Sequence, residues 1–303
     1  MARADRVYCS EEAQKAGAKL FGSAVPVDIW LLLEYPRPWA PKALDDNDLS
    51  PAVNAHMSSL AEACAQDGVR LRIQFIKQAA SADMQKPRVY LADTRIGSGV
   101  LVAGELARYE QFTEITAVGL LAHELPDGQQ STDNMYLVCT NGQRDLCCAR
   151  FGLPLYEALR LEQGGKAWQT THVGGHRFAP NLVCLPSGIS YGFVEPERAS
   201  ELIACHEAGE VDLARLRGRS SFSEAMQAAD YFVRRDSGYL SIDPLEFEVV
   251  DAGEDGAFRL KVSGPKQGTI EVKRIILDEL ALASCGAEPK RVEEYELLEL
   301  TLE

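Results

Sequence analysis

Cysteine and histidine crowd one stretch of this sequence. Cys139-Thr-Asn-Gly-Gln-Arg-Asp-Leu-Cys147-Cys148 is followed by His172-Val-Gly-Gly-His176. Thiolate and neutral imidazole are donors that transition metals take, so this density points to a metal centre. Cys139 and Cys148 have eight residues between them. The pattern before them reads as a strand and the pattern after them as a helix. Cys139 therefore sits at a strand exit, and Cys147 and Cys148 at a helix start, where the dipole favours the thiolate that binds metal. The two adjacent glycines between the histidines argue against a helix. They fit a tight loop whose backbone passes close to something bulky, from which both imidazoles can converge on one centre.

Several metals fit such a set. Paired cysteines of structural zinc sites are separated by about two to four residues, so the gap here is loose for a zinc knuckle. A two-iron cluster takes ligands from more widely separated points. Two histidines replace two cysteines on one iron of Rieske centres. The Rieske pattern of C-x-H with C-x-x-H is absent here, which excludes that fold but not histidine ligation. Spacing alone does not choose between Cys147 and Cys148. A thiol redox protein using that adjacent pair ranks last, because neighbouring cysteines make a strained disulfide and no C-x-x-C is present.

Cys139…Cys148, then His172-Val-Gly-Gly-His176-Arg-Phe-Ala, with Tyr191-Gly192 further on, resembles the sucrase/ferredoxin-like family. The match is strongest over residues 135–195 and extends to 9–40 through Leu31-Leu-Leu-Glu-Tyr-Pro-Arg-Pro-Trp39. Relatives with all-cysteine ligation carry a later C-x3-C where this chain has H-x3-H. The resemblance implies a thioredoxin-like ferredoxin domain holding one [2Fe–2S] cluster through Cys139, Cys148, His172 and His176. It selects Cys148 over Cys147, and it assigns the cysteine pair to the buried iron and the histidine pair to the outer one. It implies an electron carrier rather than a stand-alone enzyme; no carboxylate pair supports sugar hydrolysis. The alternative of a different class is a structural zinc-binding module of a protein-interaction protein.

Charge sets further expectations for such a cluster. Neutral imidazoles in place of two thiolates make the site less negative and raise its reduction potential. Each ligating imidazole keeps a second nitrogen whose proton affinity rises on reduction, so electron uptake is expected to be coupled to proton uptake. Arg144, Asp145 and Arg177 lie where they can orient ligands or form ordinary loop salt bridges. Trp168 reads as core.

The elements that must position these residues read as α/β. Glu11–Leu20 follows Ser10 as a possible N-cap. Val25–Glu34, Val69–Ile76, Arg88–Ala92 and Ser98–Leu106 read as strands, with a helix over Leu49–Gln66. A polar spacer, Asp127–Asn134, opens the second half. Met135–Cys139 and Ala167–Thr171 read as strands around a helix over Cys148–Gln163. Asn181–Leu185 and Ile189–Val194 form a hairpin, and helices over Glu197–Ala208 and Ser223–Arg234 follow. Leu245–Val250, Phe258–Val262 and Thr269–Leu277 suggest a small antiparallel β unit. The resulting division is an N-terminal α/β region (1–128), a thioredoxin-like ferredoxin domain (129–238) and a C-terminal β-rich acidic unit (239–303). No internal repeat and no low-complexity tract is expected.

The chain has 303 residues, 46% hydrophobic and 25% charged, which is ordinary for a globular protein. Its net charge of −14 argues against nucleic acid. Residues 238–303 hold 7 basic and 15 acidic side chains, a net of −8; this unit is expected to dock a basic reductase, and the residues do not name the redox partner. Met1–Arg6 leads into no apolar signal core and no apolar run is long enough for a membrane helix, so a cytoplasmic protein with reduced thiols is expected. Cys9, Cys64, Cys184, Cys205 and Cys285 then read as packing residues. Oligomeric state is not readable.

Overall fold

The computed structural model describes residues 7–303; Met1–Arg6, read above for a signal core, lies outside them. The first helix, α1, is Cys9–Lys15: it starts ahead of Ser10, which lies within it while Tyr8 takes the N-cap position, and it stops short of Leu20, the chain turning at Gly17 with φ +66°. Strand β1 (Ile29–Glu34) is buried at every position, as expected for a strand covered on both faces. Helix α2 (Pro51–Gln66) starts where the Ser50 hydroxyl accepts the Val53 N–H at 3.4 Å, with Pro51 in the first turn. It buries Val53, Met57, Leu60 and Cys64 on one side. Strand β2 (Leu71–Lys77) returns parallel to β1, and β3 (Arg88–Asp93) and β4 (Val100–Glu105) continue antiparallel on the other flank. A short α3 (Ala117–Leu121) follows. The polar spacer is not only a linker: Gln129–Ser131 forms strand β5 on the edge of β4.

The second half repeats this plan. Strand β6 (Met135–Cys139) leads through α4 (Leu146–Gln163) into a parallel β7 (Ala167–Thr170). Strands β8 (Leu182–Leu185) and β9 (Ile189–Tyr191) then form the antiparallel hairpin next to β6. Helix α5 (Ala199–Glu207), β10 (Leu216–Arg219) and α6 (Glu224–Ser237) complete it. The ten-stranded sheet runs β10-β9-β8-β6-β7-β2-β1-β3-β4-β5. Read outward from the centre, β7-β6-β8-β9 and β2-β1-β3-β4 are the same order, parallel pair then antiparallel pair, which is the thioredoxin-like arrangement. An internal repeat therefore exists in the backbone, although not in the residues. The halves join edge to edge through β2 and β7, in register at Ile76 with Thr170 and Lys77 with Gln169.

Strand β10 was not expected, because Leu-Arg-Gly-Arg has no apolar run. Its arginines are buried because backbone carbonyls meet them: Arg219 donates to Ser187 O at 2.6 Å and to Ile242 O. The C-terminal unit is antiparallel as anticipated, but has four strands: β11 (Glu246–Ala252), β12 (Ala257–Ser263), β13 (Gly268–Ala281) and β14 (Lys290–Leu302). The Glu- and Leu-rich composition of β14, which favours helix, conceals its period of two. This sheet packs Leu260, Val262, Ile270 and Val272 against Ala225, Ala229 and Val233 of α6.

His206 on α5 is 3% exposed, and burial pushes its pKa down to about 4. The folded chain therefore holds it neutral while the unfolded chain protonates it near pH 6.5. Its contribution is complete above that value and is lost as pH falls toward 4, about 3 kcal/mol in all. A thermal melt of the His206→Phe variant should show less acid destabilisation between pH 6.5 and 4 than the parent. Equal slopes would remove His206 as the cause.

Candidate metal centre

The sheet plan places the cysteine loop and the histidine loop side by side. Cys139 ends β6 and is 1% exposed, and Cys148 lies fully buried in the first turn of α4. Between them Asp145 caps the helix, accepting the Cys147 N–H at 2.9 Å. Helix α4 approaches β6 so closely that a Cβ on Gly152 would stand 2.2 Å from the Cys139 carbonyl oxygen, so only glycine fits. After β7, His172-Val-Gly-Gly-His176 turns through Gly174 (φ +88°) and Gly175 (φ +67°), the left-handed geometry for which two glycines are suited.

His172 Nδ1 lies 3.9 Å from Cys139 Sγ and 3.8 Å from Cys148 Sγ. The His176 ring stacks on His172 with centroids 4.8 Å apart. Its Nε2 is 3.9 Å from Asp145 Oδ2, and its Nδ1 is buried without a hydrogen-bond partner. All four expected residues thus share one locality. Three present donor atoms to a common point, while the fourth stands against them with an orphaned ring nitrogen. The cysteine side is interior, and both histidines are partly exposed.

The electrostatics favour a cation. The Cys148 S–H and then His172 hold the Cys139 thiol well below its usual range, against burial. Cys148 moves the opposite way, because its proton is shared with Cys139 and it is buried. A cation at this point favours the thiolate form of both sulfurs. Burial lowers His176, and the Asp145 carboxylate opposes this. Burial works against the Asp145 charge, but the N–H groups of Cys285 and Cys147 and the Ser284 hydroxyl hold its pKa below the usual carboxylate range.

Adjacent Cys147 does not face this centre. Residues one apart on a helix diverge by about 100°, and its sulfur turns toward Cys9 at 3.5 Å and Cys285 at 3.3 Å. Cys9 and Cys285, read as packing residues, are therefore parts of a sulfur cluster. Trp168 is core, 1% exposed among Leu137, Val183 and Ile76.

Positioning residues that the sequence did not reveal surround the histidine loop. Arg217 of β10 is 2% exposed and donates to Gly174 O at 3.2 Å and Asn181 Oδ1 at 2.9 Å, while Asn181 donates to Gly175 O at 2.9 Å. Arg72 of β2 donates to the His172 carbonyl at 2.7 Å. His172 borders a cleft of roughly 350 Å³ whose lining includes Lys42, Asp45, Arg72 and Arg144. Buried arginines against backbone carbonyls are not visible in a sequence, since both partners come from distant segments.

A thioredoxin-like half thus brings together Cys139, Cys148 and His172 as a donor group that could hold a metal ion, with His176 beside it. The sequence pattern of the sucrase/ferredoxin-like family matches residues 20–218, and the chain belongs to that family. It is 33% identical over 85 residues to the altered inheritance of mitochondria protein 32 of Meyerozyma guilliermondii, covering 25% of this chain and 30% of that protein. The chain thus matches less than a third of that relative's length. Two solved structures, both cysteine-to-serine variants of the thioredoxin-like [2Fe-2S] ferredoxin from Aquifex aeolicus, are 21% identical, with TM-scores of 0.25 and 0.24. Each alignment covers 28% of this chain and 97% of the ferredoxin. Among the described residues no helix is long and apolar enough to cross a membrane.

Proposed function

We propose that this protein is an electron carrier whose [2Fe–2S] cluster is held by Cys139, Cys148, His172 and His176. The observation that carries the reading is the convergence of two buried thiols and His172 Nδ1, with the unpartnered Nδ1 of His176 beside them. The donor set suits the group: two sulfurs on the interior side, two imidazoles toward the surface. A bound cluster supplies a one-electron couple. The cysteines anchor it, and Arg217, Asn181 and Arg72 fix the histidine loop. The histidines keep the site less negative than four thiolates would, and each retains a ring nitrogen that takes up a proton when the site gains negative charge. Asp145, 3.9 Å from His176 Nε2, stabilises that protonated form. A redox partner approaches at the His172 cleft, where Lys42, Arg72 and Arg144 outnumber Asp45 and favour an acidic patch despite the chain's net charge of −14.

A redox titration across pH tests this. The wild-type potential should fall with rising pH over part of the range from about 6 to 10, by up to about 59 mV per unit for one proton per electron. His172→Cys and His176→Cys should keep a cluster, lower its potential and flatten that dependence. A potential that is flat in the wild type, or unchanged in both variants, rejects histidine ligation.

One observation favours a second reading. Separations of 3.8 and 3.9 Å from His172 Nδ1 to the two sulfurs also suit a single ion, so a mononuclear zinc site of an interaction protein is the alternative. Iron and acid-labile sulfide counts on the anaerobically purified chain separate the two readings.

A further inference from the structure

We propose that Cys9, Cys147 and Cys285 form a second metal site, a tri-thiolate seat for zinc with the Asp145 carboxylate at its fourth side. The inference does not depend on what Cys139 and its partners bind. The three sulfurs lie 3.5 Å (Cys9 to Cys147), 3.3 Å (Cys147 to Cys285) and 3.7 Å (Cys9 to Cys285) apart. Three thiolates bonded at about 2.3 Å to one tetrahedral zinc stand about 3.8 Å from one another, so a small outward shift admits the ion. Asp145 Oδ1 is 3.9 Å from Cys9 Sγ, and the Ser10 N–H points at Cys147 Sγ from 3.5 Å, as donors around a thiolate do.

The sulfurs come from three distant segments: α1, the start of α4, and the loop between β13 and β14. Packing alone needs no such convergence of sulfur. A disulfide would use two of the three, strand the third and require an oxidant. Binding zinc transfers no electrons: three S–H protons leave to solvent and three S–Zn bonds form. The ion would tie the N-terminal helix and the C-terminal hairpin to the helix that carries Cys148, so its binding free energy would be folding free energy.

The test is zinc and iron analysis of the purified full chain, wild type and variants, after growth with added zinc. About one zinc per chain is expected in the wild type. Cys285→Ser and Cys9→Ser should lose that zinc while keeping iron, and Cys139→Ser should do the reverse. Where a variant does not accumulate, Co²⁺ added to the metal-free Cys139→Ser and wild-type chains serves instead; an intense thiolate-to-cobalt charge-transfer band that survives Cys139→Ser is expected. A wild type without zinc and without that band overturns the proposal. So does zinc that persists in both Cys285→Ser and Cys9→Ser, or a disulfide mapped between two of Cys9, Cys147 and Cys285.

Discussion

Cys148→Ser should strip the protein of most of its iron, sulfide and visible absorption, whereas Cys147→Ser, one residue earlier, should retain them. Both thiols are fully buried at the start of the same helix, so exposure and helix dipole do not separate them. Direction does. Cys148 Sγ stands 3.8 Å from His172 Nδ1, in the group that includes Cys139. Cys147 Sγ stands against Cys9 and Cys285 on the far side of the helix start. A serine oxygen is a much poorer ligand for iron than a thiolate, so losing the donor at position 148 should cost at least tenfold in cluster occupancy. The Cys147→Ser hydroxyl points toward Cys9 and Cys285, so whatever it costs falls on that sulfur cluster and not on the donors around His172. Iron and sulfide counts with absorption spectra on both variants decide the matter; equal loss in the two would mean that the ligand is misassigned.

The largest stability effect is expected at Arg234 of α6. Its guanidinium and the Asp230 carboxylate are both fully buried, with Nε to Oδ1 at 2.9 Å. Arg234 also donates to Ser241 O at 2.6 Å, and to Tyr239 O and Asp243 O at 3.4 Å. These carbonyls lie where the chain leaves α6 for the C-terminal sheet. Asp230 Oδ2 is buried with no hydrogen-bond partner. Arg234→Met would take the hydrogen-bonded partner from that carboxylate in a dry environment and leave only the field of nearby Arg219, a cost of about 3–5 kcal/mol. Asp230→Leu on top of Arg234→Met should recover much of the loss, since an apolar pair of similar volume often replaces a buried ion pair at little cost. Urea midpoints for the single and double variants provide the check. A single-variant loss under about 1 kcal/mol would show that the pair contributes little.

The site was legible in the sequence as far as local chemistry extends. Cys139 at a strand exit, two cysteines at a helix start and two histidines across paired glycines all follow from short-range pattern, and each lies on the element anticipated. What separates Cys147 from Cys148 is a turn of the helix combined with packing partners 138 residues away in either direction, which no local pattern contains. Strands β10 and β14 escaped for related reasons. In one, arginines are satisfied by remote carbonyls; in the other, helix-favouring residues are drafted into a sheet by their neighbour. The doubling of the thioredoxin-like plan was hidden because strand order, not residue identity, is what repeats.

The narrow seam between β2 and β7 bears on modularity. It closes one step before the histidine loop, and from the same strand β2 Arg72 grips the His172 carbonyl. Excising the half that carries Cys139 and His172 would bare a row of amide and carbonyl groups along β7 and invite pairing with foreign strands. It would also unroof one wall of the metal centre. The half without Cys139 and His172 therefore serves as edge guard for the half that carries them, and the two form one structural unit.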